Sequence, residues 1–568
     1  FLKGEKKIEL ILNKYIYAVL FIFIIAYKTT PESFSLFNDN NIDSIIAGMT
    51  IKEKVGQLIM ANLLSKSLDT QSKEFLDDVK PGGITLFGFN VDSARQVMHY
   101  CRSIKDYCRG AEIIQPFISV DQEGGRVVRI KDRVTWPPGN MAVGAGRSER
   151  LAWLLGQSVA KDLSALGINM ILGPVLDVNS NPDNPVIGLR SFGGDYEIVA
   201  RLGSAYIRGV QRNNVLSVGK HFPGHGDTFG DTHQSLQRVN FSLTQLMNYE
   251  LKPFRSAINS GIDVLMTAHI ILPNVDPSGL PATLSPLILR TILRDSLKFK
   301  GIVITDGLEM KAIRDSYGIT SAAVLAVNNG ADMVSINWTY DHCRKVRDAV
   351  FNAVRSSQIT PERLDSCVRR IISIKQNHNI MNFNSNGNNG DRFFDWWFSK
   401  KRREFIIRNI CDSAVTLLIN KDSCIPLNSG SKVLLITSRK EVLEQAQRIL
   451  TDIKLCNLNK LNKKYFTDIK PDFDKSDYFI FDMCKNNHLK ALQKIRRLFP
   501  GKKIIAMMTD SPFYLHKLPQ VDAVICTYSK HPSSVFSGIK VIFGKLAPVG
   551  ELPVNITSDF KTGCGLSF

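Results

Sequence analysis

Metal-binding cysteine motifs are absent from this sequence. Its ten cysteines are scattered between Cys101 and Cys564, with no Cys-x-x-Cys pair and no other spacing typical of a zinc site. We therefore interpret them as buried thiols, which disfavour a long residence in an oxidising compartment. On this basis the sequence predicts neither a metal site nor a cofactor.

Signals for nucleic-acid binding are also missing. The chain has no DNA- or RNA-binding motif and no stretch in which basic and aromatic residues alternate. The formal net charge of +19 comes from lysines and arginines that are spread along all 568 residues. We attribute this charge to background composition, with at most a weak attraction to acidic polymers, and expect no nucleic-acid partner.

The apolar run near the N-terminus, residues 15–27, is short for a membrane-spanning helix. Lysines between positions 3 and 14 precede it, and no small-x-small cleavage site follows. A basic segment before a short apolar run is typical of a secretory signal or a short membrane anchor. We therefore set residues 1–35 apart from the fold and expect an exported protein, periplasmic or anchored to the membrane by this segment. A buried helix in a cytoplasmic protein is the alternative.

A regular alternation of strand and helix patterns begins near residue 41. Short apolar, β-branched runs are separated by amphipathic segments such as Leu151–Leu166 and Glu197–Asn213, which predicts parallel strands joined by helical crossovers. The eight runs are Gln57–Ala61, Gly83–Phe87, Pro116–Val120, Asn169–Gly173, Val215–Val218, Ile262–Thr267, Gly301–Thr305 and Ala331–Ile336. Eight strand–helix units over residues 41–380 predict a (β/α)8 TIM-like barrel as the catalytic domain.

The remaining chain predicts a second, smaller domain, as expected for a protein too long for one ordinary core. Residues 382–390 are rich in glycine and asparagine, so we predict a linker over residues 381–400. Apolar runs with helical spacers recur between Val433 and Cys526, which predicts an α/β (αβα) sandwich over residues 401–568. No acid and base set stands out in it, and we expect it to pack against the barrel.

Ionisable residues follow five consecutive predicted strands of the barrel. They are Asp121, Glu123 and Arg126 after the third, Asp177 and Arg190 after the fourth, the stretch Lys220–His233 after the fifth, His269 after the sixth, and Asp306 and Glu309 after the seventh. The active site of a (β/α)8 barrel lies at the carboxyl ends of its strands. We therefore expect these side chains to share one rim and to form the active site.

Two of these groups suggest acetal chemistry. Asp306 directly follows an apolar strand, so we expect a partly buried carboxylate, kept ionised by nearby Lys220 or Arg190. Such a carboxylate can attack an acetal carbon or stabilise a positive charge. Asp231 lies two residues before His233, and a carboxylate beside an imidazole raises its protonated fraction, so this pair is the candidate acid.

The motifs that contain these residues resemble the β-N-acetylhexosaminidase branch of glycoside hydrolase family 3, in its two-domain form. The similar stretches are Met49–Leu58, Pro81–Ile84, Asp121–Arg129, Val186–Gly193, Lys220–His233 and Ile304–Met310, followed by Cys411–Leu418 and Phe543–Val554 in the second domain. The Lys220–His233 stretch is the most specific, because other branches of the family lack an Asp-x-His loop there. One departure is Leu189, where relatives commonly carry a polar residue, so subsite preference would differ if that position touches the sugar.

The resemblance implies a retaining β-N-acetylglucosaminidase that hydrolyses terminal β-linked N-acetylglucosamine through a covalent glycosyl-enzyme. Asp306 would be the nucleophile, and His233, oriented by Asp231, would protonate the leaving oxygen and later deprotonate water. The positions that match sugar-binding residues of the family are Asp121, Arg190, Lys220 and His221, with Arg129 supporting Asp121 and His269 either lining the pocket or packed. Peptidoglycan fragments are the expected substrate, ahead of chitooligosaccharides.

Several alternatives stay open. A neutral histidine base repels an incoming anion less than a carboxylate does, so phosphate could replace water and make the protein a β-N-acetylglucosaminide phosphorylase; a β-glucosidase of the same family is another reading. A metal-dependent barrel hydrolase would use His221, His225, Asp227 and His233 as ligands, although the first strand, Gln57–Ala61, lacks the His-x-His of amidohydrolases. A non-catalytic sugar-binding protein would not need the retained Asp306, Asp231 and His233.

Overall fold

The structure is a computed structural model that describes residues 39–231, 235–381, 396–428, 430–450, 453–460 and 463–568. It consists of two compact units, Phe1–Gly48 and Met49–Phe568. The described part of the first unit is a helix, Asp39–Gly48. The predicted signal or anchor segment, residues 1–35, lies outside the described residues. Within the described ranges, no helix is both long enough and apolar enough to cross a membrane.

Eight parallel strands form a closed barrel, which confirms the predicted fold class. The strands are β1 Ile59–Ala61, β2 Gly83–Leu86, β3 Phe117–Val120, β4 Met170–Ile171, β5 Leu216–Phe222, β6 Val264–Thr267, β7 Ile302–Gly307 and β8 Met333–Ser335. They follow one another around the barrel in chain order, and β8 pairs with β1 to close it. Each strand begins inside one of the eight apolar runs, because helices cover the outer face and leave both faces of every strand buried.

Helices occupy the segments between the strands. In the barrel they are Ile51–Gln57, Thr70–Val79, Ala94–Gly110, Asn140–Gly146, Glu149–Ala165, Tyr196–Gln211, Lys252–Asn259, Lys311–Tyr317, Ile319–Asn329, Tyr340–Arg355 and Pro361–Asn377, with π-helical turns at Leu246–Glu250 and Leu287–Ser296. The two helices predicted from periodicity begin after Ser148 and Asp195, whose side chains accept hydrogen bonds from first-turn N–H groups.

The fifth strand is longer than its apolar run predicts. The run ends at Val218, whereas β5 continues through Phe222, so Lys220 and His221 are strand residues rather than loop residues. Their side chains have charged partners in the segments that follow β3 and β4, described below, and these partners compensate for burying polar groups at this end of the barrel.

A six-stranded sheet forms the second domain. Its strands are β9 Thr416–Asn420, β10 Val433–Thr437, β11 Lys454–Asn457, β12 Tyr478–Met483, β13 Lys503–Met508 and β14 Ala523–Cys526, in the spatial order β9-β14-β13-β12-β10-β11 with only β9 antiparallel. Its helices are Trp396–Ala414, Lys440–Gln447, Lys463–Lys475, His488–Leu498 and Pro532–Ile542. Leu434 and Ile436 belong to one hydrophobic cluster and Val433 and Leu435 to another, so both faces are covered, as in an αβα sandwich.

Sequence patterns identified four of these six strands. The polar edge strand β11 was missed because it has no continuous apolar run, and β9 lies in a stretch interpreted only as the entry to the domain. The barrel strands and the second sheet lie inside the ranges predicted for the two domains. Residues 382–395 of the predicted linker lie outside the described residues, and helix Trp396–Ala414 includes residues 396–400.

The barrel and the second sheet share a hydrophobic core. Leu189, in the loop after β4, belongs to the same buried cluster as Ile436, Phe481 and Met508 of the second sheet. On the rim, Arg126 donates to Asp510, which follows β13, with an Nη2–Oδ2 distance of 2.6 Å. The buried position of Leu189 accounts for an apolar residue where the family pattern has a polar one.

Candidate active site

The predicted site residues lie at the carboxyl ends of the barrel strands. Asp121 directly follows β3, Lys220 and His221 lie near the end of β5, His269 follows β6, and Asp306 lies in β7. Because these ends meet at one rim in a parallel barrel, residues far apart in the chain become neighbours there.

An ion-pair network joins the polar residues of β3, β5 and the β4 loop. Lys220 is almost fully buried, and its Nζ lies 2.9 Å from Asp121 Oδ1 and 2.6 Å from Glu123 Oε1. Arg190 donates through Nε and Nη2 to the two carboxylate oxygens of Glu123, both at 2.8 Å. Arg129 Nη2 donates to Asp121 Oδ2 at 2.9 Å, as predicted for a supporting residue. Three cations therefore face two carboxylates in a fixed arrangement.

The charges of this network are preserved by mutual pairing. Burial raises the pKa of Asp121, and Glu123 also raises it, but Lys220 and Arg129 together lower it more, so the net shift is downward. The pKa of Glu123 is likewise held well below its ordinary value by Arg190 and Lys220, despite burial. Burial lowers the pKa of Lys220, but Asp121 and Glu123 raise it more. The network is thus charged at neutral pH, and it can exchange several hydrogen bonds with the hydroxyl groups of one sugar.

Asp177 organises the turn at the end of β5. Its Oδ2 lies 2.7 Å from His221 Nδ1, and its Oδ1 accepts hydrogen bonds from the backbone N–H groups of His221 at 3.1 Å and His225 at 2.8 Å. The other ring nitrogen of His221, Nε2, lies 3.5 Å from Arg190 Nη2. A guanidinium can only donate, so this arrangement favours the tautomer in which Nδ1–H donates to Asp177.

Asp306 is a half-buried, ionised carboxylate in β7. Its Oδ1 accepts a hydrogen bond from the Gly307 N–H at 2.8 Å. Burial raises the pKa of Asp306, but His221, His269 and this N–H lower it more, so the carboxyl titrates below its ordinary value. Lys220 contributes less than the two histidines, and the guanidinium of Arg190 is occupied by Glu123. The charge state was therefore predicted correctly, but the main residues that maintain it differ from those expected.

His269 is packed beside Asp306 rather than open to the pocket. Only 1% of it is exposed, its Nδ1 lies 2.8 Å from Thr283 Oγ1, and its Nε2 lies 3.0 Å from the carbonyl oxygen of Gly307. Both ring nitrogens are therefore engaged by the protein. The structure supports the packed interpretation of this residue, which holds the backbone next to Asp306.

The first half of the loop after β5 is anchored to the loop after β4. Asn184 Nδ2 donates to the carbonyl oxygens of His225 at 2.9 Å and Gly226 at 3.0 Å. Further along, Phe229 is 77% exposed, and the carbonyl oxygen of Asp231 accepts a hydrogen bond from Ser235 at 3.1 Å. His233 lies outside the described residues, so its pairing with Asp231 stays a prediction.

Two of the residues proposed for the metal alternative, His221 and His225, are engaged in other contacts. The ring centroids of His221 and His225 are 5.9 Å apart, and the Nδ1 of His225 lies 2.9 Å from Thr228 Oγ1. Burial and His221 lower the pKa of His225 to about 4, so this ring is neutral. In the ranges that the structure describes, no group of three or more His, Cys, Asp or Glu side chains is arranged to hold a metal ion.

Sequence reasoning placed Glu123 and Asp177 on the rim but assigned neither of them a role. In the structure Glu123 accepts hydrogen bonds from the cations of the network. Asp177 accepts hydrogen bonds from the turn at the end of β5. The only signal available was their position directly after two predicted strands, which many surface carboxylates share.

The chain has clear relatives. The family model described as the glycosyl hydrolase family 3 N-terminal domain matches residues 50–374. A solved glycoside hydrolase family 3 β-N-acetylglucosaminidase from Paenibacillus sp. str. FPU-7 is 32% identical, with a TM-score of 0.82 over 90% of this chain and 99% of that one. A β-hexosaminidase of Neisseria meningitidis serogroup C (strain 053442) is 36% identical over 286 residues, which is 49% of this chain and 77% of the relative.

Another relative, β-hexosaminidase A of Pseudoalteromonas piscicida, is 34% identical over 331 residues, which is 54% of this chain but only 55% of that protein. The family model, in contrast, covers more than half of the present chain and includes every barrel strand. This protein therefore belongs to glycosyl hydrolase family 3, and it is a glycoside hydrolase.

Proposed function

We propose that the protein is a retaining β-N-acetylglucosaminidase that hydrolyses terminal β-linked N-acetylglucosamine. The proposal is based on one observation. An ionised, half-buried Asp306 lies on the same rim as the charged network of Asp121, Glu123, Lys220 and Arg190. The network suits a sugar rich in hydroxyl groups, and the carboxylate suits attack on its anomeric carbon. The relatives described above, a β-hexosaminidase and a β-N-acetylglucosaminidase, support the choice of sugar.

In the first proposed step, Asp306 attacks the anomeric carbon and forms an ester bond to it. The bond between that carbon and the leaving oxygen breaks, and His233, oriented by Asp231, gives the oxygen its proton. In the second step a water molecule, deprotonated by His233, attacks the same carbon and releases Asp306. Two displacements at one carbon retain its configuration.

Asp306 can serve as the nucleophile because its charge is maintained although no cation among the described residues forms a direct ion pair with it. A carboxylate locked in an ion pair would have to break that pair in order to attack. Here the Gly307 N–H fixes one oxygen, and His221 and His269 supply favourable potential from nearby. The cations Lys220 and Arg190 are instead bound to Glu123. This carboxylate holds both of them in fixed positions, from which they can orient the sugar.

We further propose muropeptide-like peptidoglycan fragments as the natural substrate, with chitooligosaccharides second, and an exported location for the protein. The net charge of +19 supports the first choice, because muropeptides carry peptide carboxylates and chitooligosaccharides carry no charge. If so, kcat/KM for a muropeptide will fall as salt is raised from 20 to 300 mM, and kcat/KM for chitobiose will stay constant.

The activity is tested with a chromogenic β-N-acetylglucosaminide beside the matching β-glucoside, with and without phosphate. We expect release from the N-acetyl substrate only, loss of that release in Asp306→Ala, and free N-acetylglucosamine as the product. Asp315→Ala is the matched control, since Asp315 is an exposed carboxylate paired with Arg314 on the following helix. A sugar phosphate as product would make the protein a phosphorylase, and cleavage of the glucoside alone would make it a β-glucosidase.

A further inference from the structure

Glu250 is a buried carboxyl group that the proposed mechanism does not use. It ends the π-helical turn Leu246–Glu250, only 3% of it is exposed, and its Oε2 has no hydrogen-bond partner in the described structure. A buried, unsatisfied carboxyl oxygen is unfavourable and calls for an explanation. Single π-helical turns are frequent at functional sites, which directs attention to what this one touches.

Glu250 packs against the start of the loop that continues to Asp231. A Cβ atom built on Gly224 would lie 3.0 Å from Glu250 Oε2 and 3.2 Å from its Cβ, so the backbone of Gly224 rests on this side chain. Gly224 has a φ of +122°, and its N–H donates to the carbonyl oxygen of His221 at 2.8 Å. The carboxyl group therefore supports the turn that carries His221, beside Asp306.

The charges that face Glu250 are mainly negative. Asp177, after β4, and Asp227, in the loop itself, both raise its pKa, and burial raises it most, to about 8 in total. The ring of His221 is bound to Asp177, which also accepts the backbone N–H of His225. The ring of His225 is neutral, because its own pKa is lowered to about 4.

The nearest cation along the chain is also engaged elsewhere. Lys252 lies 3.4 Å from Glu197 and its ammonium sits 3.9 Å from the ring centroid of Tyr196. Glu250 is therefore mainly protonated at pH 7, and its anion, once formed, would meet two carboxylates without an ion pair to any described residue.

We propose that Glu250 is a positioning residue: its neutral carboxyl seats the His221–Gly224 turn, and its ionisation in mildly alkaline solution displaces that turn by repulsion from Asp177 and Asp227. Displacement moves His221 away from Arg190 and Asp306, and it releases the loop that leads to Asp231. The reaction is therefore switched off by the loss of a proton that is never transferred to the substrate. This inference rests on the proposed function.

The test must separate Glu250 from His233, because loss of the proton from a general acid also lowers activity in alkali. An aryl β-N-acetylglucosaminide whose phenolate leaves without a proton, such as the 2-chloro-4-nitrophenyl glycoside, removes the need for the acid. We would measure kcat/KM for this substrate from pH 6 to 10, corrected for spontaneous hydrolysis, in the wild type, Glu250→Gln and Asp162→Asn. Asp162 is a matched control, because it is a buried carboxyl with a raised pKa bound to Thr135 and Arg403.

The wild type and Asp162→Asn should lose about tenfold in kcat/KM between pH 7 and pH 9, as a single ionisation near pH 8 requires. Glu250→Gln, which keeps the shape of the neutral carboxyl but cannot ionise, should change less than twofold over that range. Glu250→Asp, which can still ionise, should retain a fall in kcat/KM at alkaline pH. Two results would overturn the inference. One is that kcat/KM of Glu250→Gln falls between pH 7 and pH 9 as much as that of the wild type. The other is that the substitution lowers kcat/KM by the same factor at every pH.

Hydrogen exchange provides a second readout that does not depend on activity. At pH 9 the amides of residues 222–231 should exchange faster in the wild type than in Glu250→Gln, and at pH 7 the two proteins should match. Equal exchange in both proteins at pH 9 would overturn the inference while leaving the proposed function intact. If no variant cleaves any β-N-acetylglucosaminide at any pH, the proposed function itself fails, and this inference fails with it.

Discussion

The Nζ of Lys220 lies 2.6 Å from Oε1 of Glu123, and both side chains are almost completely buried. Because Arg190 is bound to the same carboxylate, Glu123 compensates two buried cations at once. Removing its charge would leave an excess of positive charge in a site from which water is largely excluded.

We expect Glu123→Gln to lower the free energy of unfolding by about 3–5 kcal/mol, as for other broken buried pairs. We also expect kcat/KM to fall by at least about 100-fold, because Lys220 and Arg190 lose their fixed positions. Urea denaturation and steady-state kinetics measure the two effects. Asp341→Asn removes an exposed pair with Lys345 and should leave stability almost unchanged. Equal effects from both substitutions would contradict a special role for Glu123.

Asp177→Asn tests the orientation of His221. An amide can accept the two backbone N–H groups through its oxygen, but its NH2 would then face His221 Nδ1 and favour the other tautomer. That tautomer directs an N–H toward the guanidinium of Arg190. We expect kcat to fall by about 100-fold or more with little change in Tm, by analogy with tautomer errors in other sites. Nitrogen-15 NMR of the ring identifies the tautomer, and an unchanged ring state with normal kcat would refute this argument.

The barrel was predictable from the sequence because every strand is buried on both faces and therefore appears as a continuous apolar run. The rim was predictable because strand ends and ionisable residues alternate in the chain. The sequence did not, however, predict which side chains on the rim bind each other. Glu123 and Asp177 are central to the site, yet nothing in their local sequence distinguishes them from carboxylates on a solvated loop. Three-dimensional partners, from β5 and from the β4 loop, give them their function.

The packing role of Leu189 illustrates the same limit. From the sequence this position was expected to alter subsite preference if it touches the sugar or the leaving group, because relatives commonly carry a polar residue there. In the structure Leu189 is 8% exposed and belongs to the core that includes β10, β12 and β13 of the second sheet. Contacts between domains are long-range and leave no periodic signal in the chain.

Leu189→Ala should therefore reduce stability without changing specificity. We expect a loss of about 2–5 kcal/mol in unfolding free energy, typical of a large-to-small core substitution, and an unchanged ratio of kcat/KM for N-acetylglucosaminide and glucoside. Calorimetry and kinetics on both substrates provide the measurements. Leu243→Ala, at a position that is 53% exposed, should alter neither quantity. A shifted substrate ratio in Leu189→Ala would instead place this side chain in the sugar-binding site.

The acid and base role assigned to His233 has a chemical test. In His233→Ala, a substrate that requires protonation of its leaving group should react at least about 100-fold more slowly, and an activated aryl glycoside should still form the glycosyl-enzyme. Because water then lacks a base, the covalent intermediate accumulates, and azide, which needs none, should restore turnover. The product should be the β-glycosyl azide, which NMR identifies. An α-azide would refute the two-displacement mechanism, and the absence of rescue would refute the role of His233.

Lys375 should make the stability of the barrel depend on pH. It is fully buried, its Nζ donates to Gln57 Oε1 at 2.8 Å, and burial lowers its pKa from 10.5 to about 7. Between about pH 7 and pH 10.5, Lys375 is protonated in the unfolded chain and neutral in the folded chain. Its contribution to the free energy of unfolding therefore becomes more favourable as the pH rises. The penalty of burying the charged amine is present in full below about pH 7 and disappears as the pH approaches 10.5.

Lys375→Met removes this titration. The difference in unfolding free energy, wild type minus variant, should therefore increase by about 3 kcal/mol between pH 6 and pH 9. Urea denaturation of both proteins at the two pH values measures it, and the subtraction cancels every other group that titrates. Lys54→Met is a suitable control, because it also removes a lysine of the barrel domain, one that pairs with Asp365 near the surface. A difference that stays constant with pH would mean that Lys375 remains protonated in the folded barrel and that its hydrogen bond to Gln57 compensates the charge.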